Sequence, residues 1–307
     1  MKVIQIHEYG DAYVLRYEDA DKPAVLLNDV LIRVIATSFN LIDAKIRQGF
    51  MQEMLPKPFP IILGWDCAGI VAEIGENVTK FKVGDEVFGY PEFARGGTYA
   101  EFVAVDESQI ALKPKTLSFV ESASLPIVAQ TALTAIETAQ LQANQRILIH
   151  GGAGGVGSNA IQIAKELGAY IITTASGEGI ELVKSLGADE VIDYKTTNFK
   201  DVAKDVDVVL DVLGGQTQDD SWQVMKKGGI LIATAFPPNQ EKAEQFGVRA
   251  EFIFTQPRGE ALEKIAQMVD ANKLRPNVGT ELTLADAQKA HEAKGGNGKI
   301  IINVGAV

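Results

Sequence analysis

Residues 146–174, RILIHGGAGGVGSNAIQIAKELGAYIITT, give the clearest indication of the fold of this chain. An apolar run leads into a glycine-rich turn, apolar positions then recur at helical spacing, and a second apolar run closes the stretch. Gly152, Gly154 and Gly157 form the spacing Gly-x-Gly-x-x-Gly inside this strand–turn–helix–strand order. The context predicts a dinucleotide site, in which the glycines permit a tight turn, backbone approach to a pyrophosphate and close helix–strand packing. The alternative is a glycine turn that only joins a strand to a helix.

Length and composition place the chain among folded globular proteins. Its 307 residues are enough for two domains, and 46% of them are hydrophobic and 22% charged. The formal net charge of −11 argues against a nucleic-acid partner, because phosphate backbones bind basic surfaces. No apolar run approaches the ~20 residues that span a bilayer, so we expect no membrane partner. The single cysteine, Cys67, excludes an intramolecular disulfide and suits a reducing cytoplasm.

The pattern of elements changes along the chain. Residues 1–122 carry short β-branched runs punctuated by glycine, which predict a compact barrel or sandwich. After an Ala-rich helical segment, apolar strands such as 206–211 and 229–233 alternate with helices, one of them expected over 218–225. A last strand of this series is expected over 248–254. Such alternation predicts a parallel sheet covered on both faces, so the fold class is α/β with a β-rich part and a doubly wound parallel sheet.

Several landmarks occur in an order that indicates a family. They are GWDCAGIVAEIGENVTKFKVGDEVFGY, GGTYAEF, LPIVAQTALTAI, HGGAGGVG, LDVLGG and the closing GKIIINV. This ordered set spans almost the whole chain and resembles the medium-chain dehydrogenase/reductase superfamily, in particular its zinc-free quinone oxidoreductase (zeta-crystallin-like) branch. The resemblance implies a GroES-like catalytic domain over residues 1–122 and 258–307. It also implies a Rossmann cofactor-binding domain over residues 123–257.

The chain differs from zinc-dependent members of this superfamily at the metal ligands. Those members carry a Cys in the loop after an early strand and a Gly-His-Glu triplet later. Here Asn40 lies near the Cys position, and the triplet reads Gly64-Trp65-Asp66. With one cysteine and three histidines, a Cys₄ or Cys₃His zinc site is impossible within one chain. We therefore expect no metal, and an alcohol dehydrogenase role fits poorly because that reaction uses the metal as a Lewis acid.

The same loop carries the candidate catalytic residues. Its pattern Asn-x-x-Asp-x-Lys-Ile-Arg matches quinone and enone reductases of the branch at Asn40, Asp43, Lys45 and Arg47. When a nicotinamide hydride reaches a quinone or an enone, negative charge develops on the carbonyl oxygen, and a nearby donor lowers the barrier. Lys45 is the first candidate for that donor and Asn40 the second, whereas the alternative for Lys45 is a surface position on a short helix. Asp43 is expected to bond the loop backbone or to pair with Arg47.

The end of the second nucleotide-binding strand predicts NADPH as the cofactor. NAD-binding folds place an acidic residue about 20 residues after the glycines, where it bonds the ribose 2′-OH. Here the strand runs into Ala175 and Ser176 with no carboxylate at its tip, so a 2′-phosphate meets no repulsion and Ser176 can donate to it. Glu178 is the competing signal for NADH, and the lysine common in the family near Gly179 is absent.

Further cofactor contacts are expected at the carboxyl ends of the parallel strands, where such sheets bind ligands. Two strand ends are followed by Leu213 and by Ala235. The backbone N–H groups that open the first nucleotide-binding helix, among them those of Gly155 and Val156, are expected to face the pyrophosphate.

The resemblance adds contacts that the strand pattern alone does not indicate. It implies Tyr194 as an adenosine-phosphate contact and Thr131 near the nicotinamide ribose. Phe252 and Phe254 either flank the nicotinamide or belong to the core. Met54 and its apolar neighbours either line a substrate entrance or pack the loop.

The predicted function is a zinc-independent, NADPH-dependent reductase of a quinone or an α,β-unsaturated carbonyl compound. Two alternatives stay open: a dinucleotide-binding sensor that uses the same fold without turnover, and a reductase of another small carbonyl. The expected partner is the small-molecule acceptor, and the resemblance adds a homodimer formed through the nucleotide domain. The expected location is the cytoplasm.

Overall fold

The computed structural model describes residues 1–293, 296 and 298–305. In chain order the strands are β1 (Lys2–Ile6), β2 (Arg16–Asp19), β3 (Asp29–Ser38), β4 (Ile61–Ile62), β5 (Asp66–Ile74), β6 (Glu86–Gly89), β7 (Phe102–Asp106), β8 (Ile110–Leu112), β9 (Arg146–Ile149), β10 (Tyr170–Ala175), β11 (Glu190–Asp193), β12 (Val206–Asp211), β13 (Met225–Ala233), β14 (Arg249–Phe252), β15 (Val278–Thr283) and β16 (Lys299–Asn303). The α-helices are α1 (Leu41–Arg47), α2 (Phe119–Ala123), α3 (Pro126–Ala139), α4 (Gly155–Glu166), α5 (Gly179–Ser185), α6 (Phe199–Val202), α7 (Gly215–Ser221), α8 (Gln240–Phe246), α9 (Gly259–Asp270) and α10 (Ala287–Glu292).

The chain divides into two compact units. The first consists of Met1–Ile127, Gln256–Asn272 and Pro276–Val307, and the second of Val128–Thr255 with Lys273–Arg275. The first unit is β-rich and the second is built on a parallel sheet with helices, so the predicted α/β class and its two kinds of architecture are confirmed. In the described part of the chain, no helix has the length and apolar character that a membrane crossing requires.

The second unit is built on a six-stranded sheet in the order β11-β10-β9-β12-β13-β14. All of its strand pairs are parallel. β9 pairs with β10 on one side and β12 on the other, and its residues Ile147 and Leu148 are no more than 1% exposed. The strand order reverses between β9 and β12. In open α/β sheets, ligands bind at the carboxyl ends of the strands beside such a reversal.

The first unit contains two sheets. A small antiparallel sheet has the order β2-β1-β4, and a larger one has the order β15-β16-β3-β5-β6-β8 with β7 also paired to β3. Val30, Ile32 and Val34 on β3 are no more than 1% exposed and pack in the core of this larger sheet. β16 pairs antiparallel with the end of β3, with Ile301 opposite Ser38. This register brings the start of β16 beside the segment that follows β3.

Two predicted elements of the second unit have different bounds in the structure. The helix expected over 218–225 is α7, which begins earlier because Gly214 takes a φ of +75° and turns the chain directly into the helix. Met225, expected at the end of that helix, already belongs to β13 and pairs with Val206. The strand expected over 248–254 is shortened to β14.

Candidate active site

The glycine turn between β9 and α4 leaves room for an anion. Gly151 has a φ of +66°, in the region that favours glycine. A Cβ on Gly157 would collide with the carbonyl oxygen of Gly151, and a Cβ on Gly152 would collide with Oγ1 of Thr173. A Cβ on Gly154 would meet only the Gly151 oxygen within 4 Å, at 3.2 Å. Packing therefore requires glycine at two of the three motif positions, whereas a Cβ on Gly154 would make one tight contact, so the glycine there chiefly keeps the backbone accessible to a pyrophosphate.

Helix α4 begins without a side-chain cap. Its N-cap residue is Gly154, whose carbonyl oxygen accepts the N–H of Ser158 at 2.9 Å. Gly155, Val156 and Gly157 come before Ser158 in the first turn of the helix. Their N–H groups therefore have no carbonyl acceptor inside the helix. These donors and the helix dipole favour an anion at this end. The predicted residues therefore fit the pyrophosphate of a dinucleotide.

The carboxyl ends of neighbouring strands in the second unit bring further predicted contacts to one edge of the sheet. β10 ends at Ala175, whose carbonyl oxygen accepts the backbone N–H of Tyr194 at 3.3 Å. The Tyr194 side chain is 59% exposed and follows β11 directly. Leu213 follows β12 and is also exposed, and Ala235 follows β13 and is half-buried. The structure thus places these four residues along the edge where the glycine turn lies.

Asp211 is a residue of this edge that the sequence interpretation missed. It is the last residue of β12 and is fully buried. Its Oδ1 accepts the N–H groups of Leu213 and Gly214 at 3.0 and 2.9 Å, and its Oδ2 accepts Nε2 of Gln218 at 2.9 Å. These bonds satisfy the buried carboxylate and hold the loop that carries Leu213. The sequence signal for this role is an Asp at the end of a strand with a Gly within the next three residues, a pattern that is typical of a side chain bonded to the backbone of a turn.

The segment after β10 carries the residues that bear on the 2′-phosphate. Ser176 is half-buried, and Gly177 takes a φ of +55°. Glu178 is exposed at the N-cap position of α5. Lys195, which follows Tyr194, is exposed, and its ammonium has no partner among the described residues. The sequence interpretation missed this cation because Lys195 lies beyond β11 rather than after β10.

The remaining predicted cofactor contacts lie on other elements of the second unit. Thr131 lies on α3 and is 8% exposed. β14 ends at Phe252, so Phe254 follows the strand. Phe252 is 37% exposed and Phe254 is half-buried. Phe252 is therefore too exposed for a core residue, and the contact of either ring with the nicotinamide stays a prediction.

A buried polar cluster lies at the start of α1 in the first unit and consists of Asn40, Asp66 and Lys299, none more than 8% exposed. Lys299 Nζ donates to Asn40 Oδ1 at 2.6 Å and to the Phe39 carbonyl at 2.7 Å, and it lies 3.5 Å from Asp66 Oδ2. Asn40 Nδ2 donates to the same Asp66 oxygen at 2.7 Å. Burial lowers the pKa of Lys299, and the nearby carboxylates of Asp66 and Asp43 oppose that shift without cancelling it.

Asp66 anchors this polar cluster to the surrounding structure. Its Oδ2 also accepts Ser38 Oγ at 2.6 Å, and its Oδ1 accepts the N–H of Ile127 at 2.8 Å. The preceding residue, Trp65, is fully buried and packs against Phe93 with ring centroids 5.8 Å apart. An indole and a hydrogen-bonded carboxylate therefore occupy the second and third triplet positions. The sequence interpretation named Asp66 within the triplet but missed its contact with Lys299, which is 233 residues away.

Asp43 holds the first turn of α1, in a segment described from the sequence as a loop. Its Oδ2 accepts the backbone N–H of Asn40 at 2.8 Å and the hydroxyl of Tyr99 at 3.0 Å. The predicted bond to the loop backbone is thus confirmed, whereas Nε and Nη1 of Arg47 are buried without hydrogen-bond partners and form no ion pair with Asp43. Burial, with a smaller contribution from the Asp66 carboxylate, raises the pKa of Asp43 to about 7.

Lys45, the first candidate donor, lies on α1 and is half-buried. Asn40, the second candidate, directs its amide into the polar cluster. The structure therefore places both on or next to the same short helix, and their roles toward a carbonyl stay predictions. Among residues 1–293, 296 and 298–305, no three His, Cys, Asp or Glu side chains are grouped as metal ligands.

Two family models match this chain. Residues 27–115 match the alcohol dehydrogenase GroES-like domain, and residues 186–302 match a model described as zinc-binding dehydrogenase. The first match falls on the β-rich unit, and the second begins directly after α5 and ends within β16.

Curated relatives and solved structures are similar over most of the chain. A tomato protein named 2-methylene-furan-3-one reductase is 38% identical over 90% of this chain and 71% of its own length. An Arabidopsis thaliana protein named NADPH-dependent alkenal/one oxidoreductase, chloroplastic, is 35% identical over 98% of this chain and 79% of its own length. The structure of the quinone oxidoreductase from Coxiella burnetii superposes with a TM-score of 0.93 and 35% identity, and 99% of each chain is covered.

Proposed function

The chain belongs to the quinone oxidoreductase branch of the medium-chain dehydrogenase/reductase superfamily, and we propose that it is a zinc-independent, NADPH-dependent reductase of quinones or α,β-unsaturated carbonyl compounds. The observation that carries this proposal is the polar cluster of Asn40, Asp66 and Lys299. Asn40 lies near the position of the cysteine ligand of zinc-dependent members, and Asp66 holds the third position of the triplet that reads Gly-His-Glu in those members. Lys299 brings an ammonium against Asn40 in the same cluster. An amide can supply an N–H donor to an oxygen and an ammonium has no lone pair, whereas zinc ligands must supply lone pairs.

The residues of the chain divide the chemistry between binding and charge stabilisation. NADPH, when bound, supplies the hydride. The N–H groups of Gly155 and Val156 would hold its pyrophosphate at the start of α4. Negative charge that develops on the acceptor oxygen is stabilised by N–H donors, for which Asn40 and Lys45 are the candidates. A donor that is already oriented needs no reorganisation when the charge appears.

The choice of NADPH over NADH follows from the charges after β10 and β11. Ser176 offers a hydroxyl donor at the tip of β10, and the exposed ammonium of Lys195 follows Tyr194, whose backbone bonds to Ala175. A phosphate dianion is favoured by such donors and by a cation. Glu178 is the opposing charge, exposed at the start of α5.

Two further parts of the proposal concern the setting of the enzyme. A cytoplasmic location is supported by the buried, unpaired Cys67, which suits a reducing compartment. A homodimer is supported only by the family resemblance, and light scattering on the purified chain distinguishes a mass of one chain from a mass of two.

The test of the function is NADPH oxidation with a panel of acceptors. We expect consumption of NADPH with 1,4-benzoquinone, 9,10-phenanthrenequinone or trans-2-hexenal, slower consumption with NADH, and no effect of a chelator. Hexanal serves as the matched control acceptor, because it has the carbonyl and chain length of trans-2-hexenal without the conjugated double bond. Tight NADPH binding without turnover of any acceptor would refute the enzyme and leave a dinucleotide sensor. Reduction of hexanal as fast as trans-2-hexenal would favour a reductase of other small carbonyls.

A further inference from the structure

The Asn40 side chain makes contacts beyond those that the start of α1 requires. Asn40 is the N-cap residue and forms a capping box with Asp43, whose carboxylate accepts the Asn40 N–H at 2.8 Å. The Asn40 amide is also directed into the polar cluster, where it contacts Lys299 and Asp66. A capping box needs neither of these two contacts.

The two partners of the Asn40 amide determine which way it points. An ammonium can only donate hydrogen bonds and an ionised carboxylate can only accept them. Lys299 Nζ therefore lies against the amide oxygen at 2.6 Å, and Asp66 Oδ2 lies against the amide nitrogen at 2.7 Å. Rotating the amide by half a turn would place donor against donor and acceptor against acceptor. The amide orientation, which is often ambiguous in proteins, is determined here by charge.

One donor of the oriented amide stays available. Asn40 Nδ2 carries two hydrogens, and the described residues accept only the one directed to Asp66. We propose that Lys299 and Asp66 are positioning residues, which hold Asn40 so that its second Nδ2 hydrogen can bond the carbonyl oxygen of the substrate. This inference rests on the proposed function, because it assigns the hydrogen to the oxygen of a quinone or an enone.

The Lys299 ammonium also strengthens the donor. A hydrogen bond from a cation to the amide oxygen withdraws electron density from the nitrogen, so hydrogen bonds in the chain reinforce one another. The cluster is buried, which limits screening by water. Lys299 Nζ has three oxygen neighbours, the Phe39 carbonyl, Asn40 Oδ1 and Asp66 Oδ2, so its own donors are directed inward.

Strand pairing explains why Lys299 reaches Asn40. β16 begins at Lys299, and its pairing with β3 places the Phe39 N–H against the Ile300 carbonyl at 2.9 Å. The residue before β16, Gly298, takes a φ of +90°, and a Cβ there would collide with the backbone of Gly279. The sheet therefore delivers this lysine to the end of β3 with little freedom.

The test is a double-mutant cycle on the full chain with 9,10-phenanthrenequinone and trans-2-hexenal. We expect Asn40→Ala and Lys299→Met each to lower kcat about 100-fold, the loss typical when one such donor is removed. If Lys299 acts through Asn40, the double variant is no slower than Asn40→Ala alone. Lys299→Arg, which keeps the cation, should restore part of the rate. The Kd for NADPH should not change in any of these variants.

A matched control is Lys113→Met, because Lys113 is also a lysine of the first unit whose ammonium bonds backbone carbonyls and a carboxylate, here that of Glu86. We expect wild-type kcat from this control. The positioning role would be overturned if the losses of kcat in Asn40→Ala and Lys299→Met multiply in the double variant. It would also be overturned if Lys299→Met folds and has wild-type kcat. If the Lys299→Met variant does not fold, a double variant that combines Lys299→Met with Asp66→Asn replaces it. This double variant removes both charges, so that neither charge stays buried and unpaired. Wild-type kcat in that variant would also overturn the proposal.

Side-chain ¹⁵N NMR separates failure of this inference from failure of the proposed function. The Nδ2 signals of Asn40 are assigned by their loss in the Asn40→Ala variant. If Lys299 positions Asn40, we expect these signals to shift in the Lys299→Arg variant and to keep their positions in the Lys113→Met variant. If the wild type reduces no acceptor, the proposed function fails and the substrate contact fails with it. Unshifted Nδ2 signals in Lys299→Arg, together with normal turnover by the wild type, would refute the positioning role alone.

Discussion

The hydroxyl of Tyr99 donates a hydrogen bond to Oδ2 of Asp43 across 3.0 Å inside the first unit. The same oxygen accepts the N–H of Asn40, so one carboxylate joins the start of α1 to the residue that precedes Ala100, which forms a β-bridge with Val3. Asp43 is fully buried, and burial raises its pKa to about 7 despite these two donors. A carboxylate with such a pKa makes the stability of the fold depend on pH.

We expect Asp43 to make the protein less stable as the pH rises from about 4 to about 7. The folded state holds a proton on Asp43 that the unfolded state, with a pKa near 3.9, has already released, so stability falls until the pH passes the folded pKa. A difference of about three pKa units corresponds to about 4 kcal/mol of unfolding free energy. Asp43→Asn keeps an oxygen for both donors and should remove this dependence in urea unfolding measured across that range. The same pH slope in both proteins would refute the assignment.

The glycine turn predicts opposite results for two similar variants. Gly154→Ala should fold with a melting temperature close to wild type but bind NADPH at least about 10-fold more weakly, because its Cβ fills the space for the pyrophosphate. Gly157→Ala should lower the melting temperature by several degrees, since its Cβ meets the Gly151 carbonyl oxygen. Thermal melts with and without NADPH check both results. Equal effects of the two variants on stability and on binding would contradict the assigned roles.

Lys195 should contribute to the choice between NADPH and NADH. Lys195→Ala is expected to raise the Kd for NADPH by about 10-fold, because a charge-assisted contact to a phosphate contributes about 1.5 kcal/mol or more. The Kd for NADH should not change. The matched control is Lys204→Ala, an exposed lysine of the same unit whose ammonium bonds the Lys200 carbonyl. Equal weakening of both cofactors would remove Lys195 from the 2′-phosphate site.

Cys67 should be inert in the folded protein. Its side chain is fully buried, its Sγ donates to the Gly89 carbonyl at 3.4 Å, and burial raises the pKa of the thiol above its usual range. Because the thiolate is the reactive form, a thiol reagent should label Cys67 only after the chain unfolds in denaturant. Rapid labelling of the native protein, followed by mass spectrometry, would contradict this description.

Local sequence was sufficient to predict the strand, the glycine turn and the helix on which the proposed nucleotide site lies. The strand, turn and helix over 146–166 depend on apolar runs, glycines and helical spacing, all of which act between near neighbours in the chain. The same holds for the strand ends at Ala175, Leu213 and Ala235, because parallel strands carry their carboxyl ends to one edge. The bounds of α7 were missed, since the turn at Gly214 rather than the apolar pattern decides where that helix starts.

Local patterns in the chain were enough to predict the α/β class, the position of the glycine turn and the departure from zinc ligands at Asn40 and Trp65. That Asn40 faces Lys299 and Asp66, and that Asp43 binds Tyr99 instead of pairing with Arg47, became visible only in the folded chain. These partners are far apart in sequence. Lys299 reaches Asn40 across 259 residues through the pairing of β16 with β3, and no local pattern carries that register.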